Sequence, residues 1–228
     1  MKSILVVAAH PDDEVLGAGG AMARWSAEGH EVHIVIMAEG ATSRDDSRDA
    51  GGRSGELQGL AACAENARKA VGAATVTLEN FPDNRMDGTE LLDVVKVVER
   101  HVEQHRPEIV LTHGATDVNV DHRMVHEAVL AATRPQPGHC VKTLLFFEIM
   151  SSTEWRPPAS MPAFQPNYFV DITDHLPAKL AALEAYAPEM RDWPHSRSIP
   201  ALEHLARWRG ACVGVAAAEA FAVGRIIA

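Results

Sequence analysis

The chain has 228 residues, of which 46% are apolar and 23% charged, a composition that fits a globular protein and excludes disorder, collagen-like repeats and coiled coils. Its formal net charge of −10 argues against nucleic acid or anionic membranes as partners, because a negative surface repels phosphate groups. Three cysteines, Cys63, Cys140 and Cys212, match neither a disulfide framework nor a cysteine zinc cluster, so we interpret them as small buried apolar residues in a reducing compartment.

The chain begins with an apolar run at residues 4–9, which predicts a buried central strand. The run is too short for the core of a signal peptide or for a membrane span, so we expect a cytoplasmic protein without membrane insertion. A helix is predicted over residues 14–28, and its glycines at positions 17, 19 and 20 favour close packing against the sheet.

Apolar periodicity then alternates between strand and helix. Further strands are predicted at residues 32–37, 75–78, 109–112 and 143–149, and further helices at residues 57–71, 89–105 and 122–132. This alternation predicts an α/β fold, Rossmann-like and doubly wound, with a mostly parallel sheet and helices on both faces.

The remaining sequence follows a different pattern. Residues 151–166 are rich in proline and small polar residues, and we expect a late strand at residues 168–172 and helices at 178–190 and 199–225. Glu219 and Phe221 would be packing residues of that last helix. We interpret residues 1–228 as a single domain, with a core at about 1–150 and a C-terminal helical cap at about 151–228.

The turn after the first strand carries His10, Pro11, Asp12 and Asp13. Ligands of open α/β sheets collect at the carboxyl ends of the strands, where this turn lies. One imidazole among several acids suits a cation and would repel a pyrophosphate, and the glycines come too late for a dinucleotide fingerprint. The turn therefore predicts a divalent metal site and excludes a nucleotide cofactor.

A third metal ligand must come from elsewhere, because a catalytic zinc site usually holds three nitrogen or oxygen ligands and keeps one open position. The strand at 109–112 commonly lies beside the first strand in this topology, so His122 would approach His10 and Asp13. His126, four residues later on the same helix, is an alternative ligand. Asp121 could simply cap that helix.

Two motifs give these residues a family resemblance. Ala9-His10-Pro11-Asp12-Asp13-Glu14 resembles the first motif of the PIG-L/LmbE-like deacetylases, metal-dependent hydrolases of N-acetylated sugars and related amines, and Asp121-His122-Arg123 resembles their second. Weaker similarities occur at Asn80-Phe81-Pro82-Asp83 and in the run from Val170 through Lys179 to Tyr186. The resemblance covers most of the chain.

The resemblance implies roles for the motif residues. His10, Asp13 and His122 would bind the metal, Asp12 would be the general base and Asp121 a supporting acid. Asp12 would take a proton from the activated water and later protonate the departing amine. We expect Zn²⁺, with Fe²⁺, Co²⁺ and Mn²⁺ as alternatives that the same ligands suit.

The chain departs from the family at Asn119, where members often carry a histidine that steadies the oxyanion. An amide donates a hydrogen bond but supplies no proton, so we interpret Asn119 as an oxyanion donor, with His113 and Arg85 as alternatives. The family also places an arginine on the helix after the second strand, for which Arg44, Arg48, Arg53 and Arg68 are all candidates.

Substrate contacts are predicted at Asp117, Arg85, His113 and His195. Asp117 and Asn119 are equally typical turn formers, and the loop around Arg85 equally suits a solvated turn. His195 lies in a loop of the cap, where a surface position is its alternative.

The sequence thus predicts a cytoplasmic, zinc-dependent hydrolase that removes an N-acetyl group from an amino sugar or sugar conjugate, in cell-envelope polysaccharide or natural-product assembly. Alternatives are a metal-dependent hydrolase of a non-sugar amide or ester, and a catalytically silent sugar-binding module. The presence of Asp12 argues against the module. We expect a small N-acetylated molecule as the partner and consider a homo-oligomer.

Overall fold

A computed structural model describes residues 1–44 and 46–228, without the side chain of Arg44. Seven strands of this described part form one sheet in the order β3-β2-β1-β4-β5-β7-β6. They are β1 Ser3–Ala8, β2 Glu31–Ala38, β3 Thr75–Phe81, β4 Ile109–His113, β5 Thr143–Phe147, β6 Tyr168–Asp171 and β7 Ala218–Ile226. The first five strands pair in parallel, and β7 pairs antiparallel with β5 and β6.

In the described part of the chain, six α-helices cover the two faces of this sheet. They are α1 Asp13–Ala27, α2 Ser54–Val71, α3 Leu91–His105, α4 Val120–Ala132, α5 Leu176–Ala185 and α6 Ile199–Ala211. One buried apolar cluster joins α1, α2, α5 and α6 to the sheet, and a second cluster joins α3 and α4 to the opposite face. The predicted α/β fold with a mostly parallel sheet and helices on both faces is confirmed.

Strand β1 lies at the centre of the molecule. It pairs with β2 on one side and β4 on the other, and its residues from Ile4 to Ala8 are at most 1% exposed. Helix α1 follows it directly and packs tightly, since a Cβ atom on Gly17 would lie 2.5 Å from the ring of Phe147. The absence of a side chain at Gly17 therefore allows α1 to pack directly against β5.

The predicted helix at 199–225 is wrong beyond residue 211. Helix α6 ends at Ala211, and β7 then runs between β5 and β6, so Glu219 and Phe221 lie in a strand. The alanine-rich sequence favours a helix, but two neighbouring strands offer hydrogen bonds to this backbone, and tertiary pairing overrides local propensity. The carboxy-terminal segment, residues 151–228, thus completes the sheet as well as covering it.

The interpretation of the cysteines also needs correction. All three are free, but Cys63 and Cys140 are only half-buried and Cys212 is exposed. The other predicted strands and helices overlap observed ones.

Among the described residues, no helix has both the length and the apolar character required to cross a membrane.

Candidate active site

The candidate site lies where β1 and β4 end. His10, Asp12 and Asp13 follow β1, while Asp121 and His122 lie in the first turn of α4, after β4. Because β1 and β4 are neighbouring parallel strands, their carboxyl ends meet at one edge of the sheet. The two motifs, more than a hundred residues apart in the chain, therefore come into contact, as the topology predicted.

Three donor atoms converge at this edge. Asp13 Oδ2 lies 3.2 Å from His10 Nδ1 and 3.2 Å from His122 Nε2, and the two histidine nitrogens are 3.3 Å apart. Ligands of a tetrahedral zinc ion are separated by about 3.3 Å when each bond is about 2.0–2.1 Å long. The donor set fits one divalent ion held by three protein atoms, with one position left open.

Each of the two histidines has a carboxylate on its other nitrogen. Asp117 Oδ2 lies 3.1 Å from His122 Nδ1, and Asp121 Oδ2 lies 3.1 Å from His10 Nε2. Such pairs fix the tautomer and ring orientation of metal-binding histidines. Burial opposes the charge of His122, but Asp13 and Asp117 outweigh it and raise its pKa to about 8. Metal binding at this site would therefore release protons.

Asp121 is an acceptor with several fixed partners. Its Oδ1 accepts from the backbone N–H of Met86 at 2.9 Å, and its Oδ2 accepts from that of Asn84 at 2.7 Å. The alternative that Asp121 caps α4 is wrong, because the N-cap is Asn119, whose Oδ1 accepts from the N–H of Asp121. Asp83 also approaches His10 Nε2, at 3.4 Å, on the same side as Asp121.

Asp12 has an unusual backbone conformation. Its φ is 109° and its ψ is −30°, a region that costs a non-glycine residue about 1–3 kcal/mol. Its N–H donates to Glu14 Oε2 at 3.1 Å, and its Oδ2 accepts from Arg197 Nη1 at 3.1 Å. Burial raises the pKa of the Asp12 carboxyl, while Arg197 pulls it down. A buried carboxylate with a raised pKa suits general base catalysis near neutral pH.

The cleft above Asp12 has a volume of about 140 Å³. We define the cleft by its lining residues, which are His10, Pro11, Asp12, Asp13, Gly40, Ser43, Asp83, Asn84, Asn119, Glu189 and Arg197. Gly40, one of these residues, has a φ of +79°, and a Cβ there would lie 2.6 Å from the Pro11 ring, so glycine allows this close approach. The lining is almost entirely polar, which favours a small polar ligand.

The predicted substrate contacts do not appear among these lining residues of the described chain. Asp117 is buried behind His122, where it accepts from the hydroxyls of Ser152 and Thr153. His113 is fully buried, and its Nε2 accepts from the N–H of Ala9 at 2.8 Å. Burial lowers the pKa of His113, so this ring is a neutral packing group stacked 4.0 Å from the ring of His122.

The remaining candidates have partners of their own. Arg85 Nη2 donates to the carbonyl of Asp46, and His195 Nδ1 accepts from the N–H of Arg197. Asn119 borders the cleft, but its Nδ2 donates to Asn84 Oδ1 at 2.8 Å. The alternative ligand His126 bonds through Nδ1 to the carbonyl of His113.

Among the candidate arginines whose side chains are described, each pairs with a glutamate outside the group of metal donors. Arg48 pairs with Glu39, Arg68 with Glu65 and Arg53 with Glu56, while the side chain of Arg44 lies outside the described residues.

Sequence reasoning missed Arg197 and Glu189, both from the carboxy-terminal segment. Arg197 stands two positions after His195 in the same loop, and its Nε donates to Ser151 Oγ at 2.9 Å. No sequence spacing predicts a contact between residues 197 and 12. The only sequence feature that could have indicated Arg197 was its position in a polar loop.

The chain is similar in sequence to known proteins. Residues 5–133 match the model of the PIG-L family, described as GlcNAc-PI de-N-acetylase. The chain is 29% identical over 191 residues to an uncharacterized deacetylase, YaiS, of Escherichia coli K12, covering 81% of this chain and 90% of that protein. It is also 29% identical over 210 residues to a 4-oxalmesaconate hydratase of Pseudomonas putida, covering 85% and 76%.

The fold also matches a solved structure. The N,N'-diacetylchitobiose deacetylase of Pyrococcus horikoshii superposes with a TM-score of 0.78 over 98% of this chain and 84% of that one, at 21% identity. The family match covers more than half of the 228 residues and includes both site motifs. The chain therefore belongs to the PIG-L family of N-deacetylases, which are hydrolases.

Proposed function

We propose that this protein is a zinc-dependent N-deacetylase that removes the acetyl group from an N-acetylated amino sugar or sugar conjugate. The observation that carries the proposal is the convergence of His10, Asp13 and His122 beside the buried carboxylate of Asp12. Three ligands with an open position, and a carboxylate next to them, are the parts that metal-assisted amide hydrolysis requires. Fe²⁺, Co²⁺ and Mn²⁺ suit the same ligands.

The residues of the chain divide the chemistry between them. When bound, the ion supplies Lewis acidity at the acetamide carbonyl. Asp12 accepts a proton from the attacking water and donates it to the amine nitrogen as the C–N bond breaks. Arg197 holds the Asp12 carboxylate in place. Asn119 is the proposed hydrogen-bond donor to the oxyanion at the cleft wall, through the Nδ2 hydrogen that is not donated to Asn84.

The cleft supports a small polar substrate. Its volume of about 140 Å³ lies below the roughly 300 Å³ at which pockets for drug-sized ligands begin. The hydroxyls and acetamide of one sugar ring would match its polar wall. The GlcNAc substrate in the family description supports an N-acetylated amino sugar.

Hydration of an unsaturated carboxylic acid is the second candidate, because the hydratase relative is as similar in sequence as YaiS. The cleft contains four carboxylates, those of Asp12, Asp13, Asp83 and Glu189, against the single guanidinium of Arg197. Arg197 and a bound divalent ion would offset three of these four negative charges, and the remaining one still disfavours a substrate with several carboxylates and favours an amine product. The electrostatics therefore favour deacetylation.

The test is acetate release from a panel of N-acetylated sugars and sugar conjugates, with a non-sugar acetamide, an acetyl ester and an unsaturated tricarboxylate alongside. Wild type reconstituted with each metal separately, chelated protein and Asp12→Asn would be compared, with bound metal quantified. Asp171→Asn is the matched control, since Asp171 is exposed and its carboxylate accepts from the N–H and hydroxyl of Thr173, two residues later.

We expect acetate only from metal-loaded protein, and a loss of about 10²–10⁴-fold in Asp12→Asn with its metal retained. Consumption of the tricarboxylate without acetate release would favour the hydratase. Sugar binding that Asp12→Asn leaves unchanged, with no hydrolysis, would favour the binding module.

Single-domain organisation, a cytoplasmic location and homo-oligomerisation stay predictions.

A further inference from the structure

The backbone of Asp12 is held by a side chain two residues away. With φ at 109°, the Asp12 N–H points to Glu14 Oε2 at 3.1 Å. An aspartate in this region is strained and keeps the conformation only when its surroundings impose it. Glu14 is fully buried, so its carboxylate is fixed relative to α1. The hydrogen bond therefore stabilises the strained backbone of Asp12. Because that backbone sets the direction of the Cα–Cβ bond, it also orients the Asp12 carboxylate.

Glu14 is itself held from the carboxy-terminal segment. The hydroxyl of Tyr186, which follows α5 directly, donates to Glu14 Oε1 at 2.7 Å. Tyr186 is among the largest fully buried side chains. The two oxygens of Glu14 thus have separate partners, Tyr186 on one and Asp12 on the other. A buried carboxylate without such partners would be strongly destabilised.

Arg197 reaches Asp12 from the same segment on the other side. It binds the Asp12 carboxylate, whereas Tyr186 acts through Glu14 on the Asp12 backbone. The family match ends at residue 133, so both contacts come from sequence outside it. The carboxy-terminal segment thus contacts the proposed base at two points.

We infer that Glu14 and Tyr186 are positioning residues that fix the strained backbone of Asp12 and so orient its carboxylate over the cleft. The inference rests on the proposed role of Asp12 as general base. Neither residue lines the cleft or supplies a donor atom to the metal group in the described structure. Their loss should therefore reduce turnover without reducing metal content or substrate binding.

The experiment compares Glu14→Ala, Glu14→Gln and Tyr186→Phe, all metal-loaded, for kcat, KM, bound zinc and Tm. Tyr168→Phe is the matched control because Tyr168 is the other tyrosine of the chain and lies partly exposed on β6. Wild type and Asp12→Asn in the same assay report on the proposed function. Crystal structures of the variants give the φ of Asp12, a readout independent of activity.

We expect Glu14→Ala to lower kcat by about 100-fold at unchanged KM and zinc content, since a displacement of about 1 Å has an effect of that size. Glu14→Gln, whose carbonyl still accepts from the Asp12 N–H, should recover at least about tenfold of that loss, and Tyr186→Phe should lower kcat by about tenfold. In the crystal structures, φ of Asp12 should leave the positive region in Glu14→Ala.

The inference is overturned if Glu14→Ala and Tyr186→Phe keep kcat within about twofold of wild type, or if lost activity follows lost zinc. If Glu14→Ala does not fold, Tyr186→Phe and Glu14→Gln decide by the same criteria. If wild type with zinc releases no acetate, the proposed function fails, and the φ of Asp12 in the crystal structures alone tests the positioning role. A positive φ of Asp12 in every folded variant would then refute the role of Glu14 and Tyr186 in fixing that backbone.

Discussion

At the scale of single residues, the site depends on carboxylates that do not face the cleft. Asp117 contacts His122 Nδ1 and is held by the hydroxyls of Ser152 and Thr153. These partners lower the pKa of Asp117 to about 2, against the opposing effect of burial. Asp117 therefore stays ionised and stabilises one ring orientation of His122. This role differs from the substrate contact that the sequence predicted for Asp117.

Asp117→Asn tests this role. The substitution removes the negative charge that lies 3.1 Å from His122 Nδ1, so we expect zinc affinity to fall by about 10–100-fold, measured by competition with a chelator of known affinity. Asp171→Asn, which alters an exposed carboxylate, should leave zinc affinity unchanged. Equal zinc affinity in both variants would mean that Asp117 only ties the loop at residues 151–153 to the site.

At the scale of elements, α1 is linked to the carboxy-terminal segment by a buried ion pair. Lys179 Nζ of α5 lies 2.5 Å from Glu219 Oε1 of β7 and donates to the carbonyl of Leu16. Glu219 accepts from the N–H groups of Gly20 and Ala21. In an uninterrupted helix the Leu16 carbonyl would pair with the Gly20 N–H. The ion pair and its hydrogen bonds thus connect α5 and β7 to α1, the helix that carries Asp13.

Lys179→Met should be strongly destabilising, because it leaves the charge of Glu219 buried without its cation. We expect the free energy of unfolding in urea to fall by about 3 kcal/mol. Arg207→Met is the matched control: it removes the pair with Glu203 on the exposed side of α6, where about 0.5 kcal/mol or less is expected. A similar small change in both variants would contradict a structural role for the buried pair.

At the scale of the whole molecule, the boundary that the sequence suggested near residue 150 crosses the sheet. Strand β7 pairs with β5, and Val170, Leu183 and Phe221 belong to the same buried cluster as α1. A chain that ends at residue 150 would expose β5 as an edge strand and uncover the α1 face. It would also remove Tyr186 and Arg197 from Asp12.

We therefore expect residues 1–150, produced alone, to lack a cooperative unfolding transition and to bind a hydrophobic dye. Thermal unfolding followed by circular dichroism, with the full chain as the control, measures this. A sharp transition with native-like secondary structure would instead show that residues 1–150 fold on their own, and it would contradict the prediction of a single domain.

The parts of the site that lie in local motifs could be predicted from sequence. The turn at His10–Asp13 and the Asp121-His122 pair carry their chemistry in residue type, and the β-α alternation places both at adjoining strand ends. Strand β1 was predicted from its continuous apolar run, and helix α3 from apolar residues at helical spacing. In both cases the buried residues form a pattern that is visible in the local sequence.

Strand β7 and the contacts of the carboxy-terminal segment could not be predicted from sequence, because they depend on tertiary contacts. An alanine-rich strand between two partners has no local pattern that distinguishes it from a helix, because its hydrogen bonds are made with distant backbone. The same reason applies to Arg197 and Tyr186. Their roles arise from contacts with residues more than 170 positions earlier, and neither a single arginine nor a single tyrosine reveals such a contact in sequence.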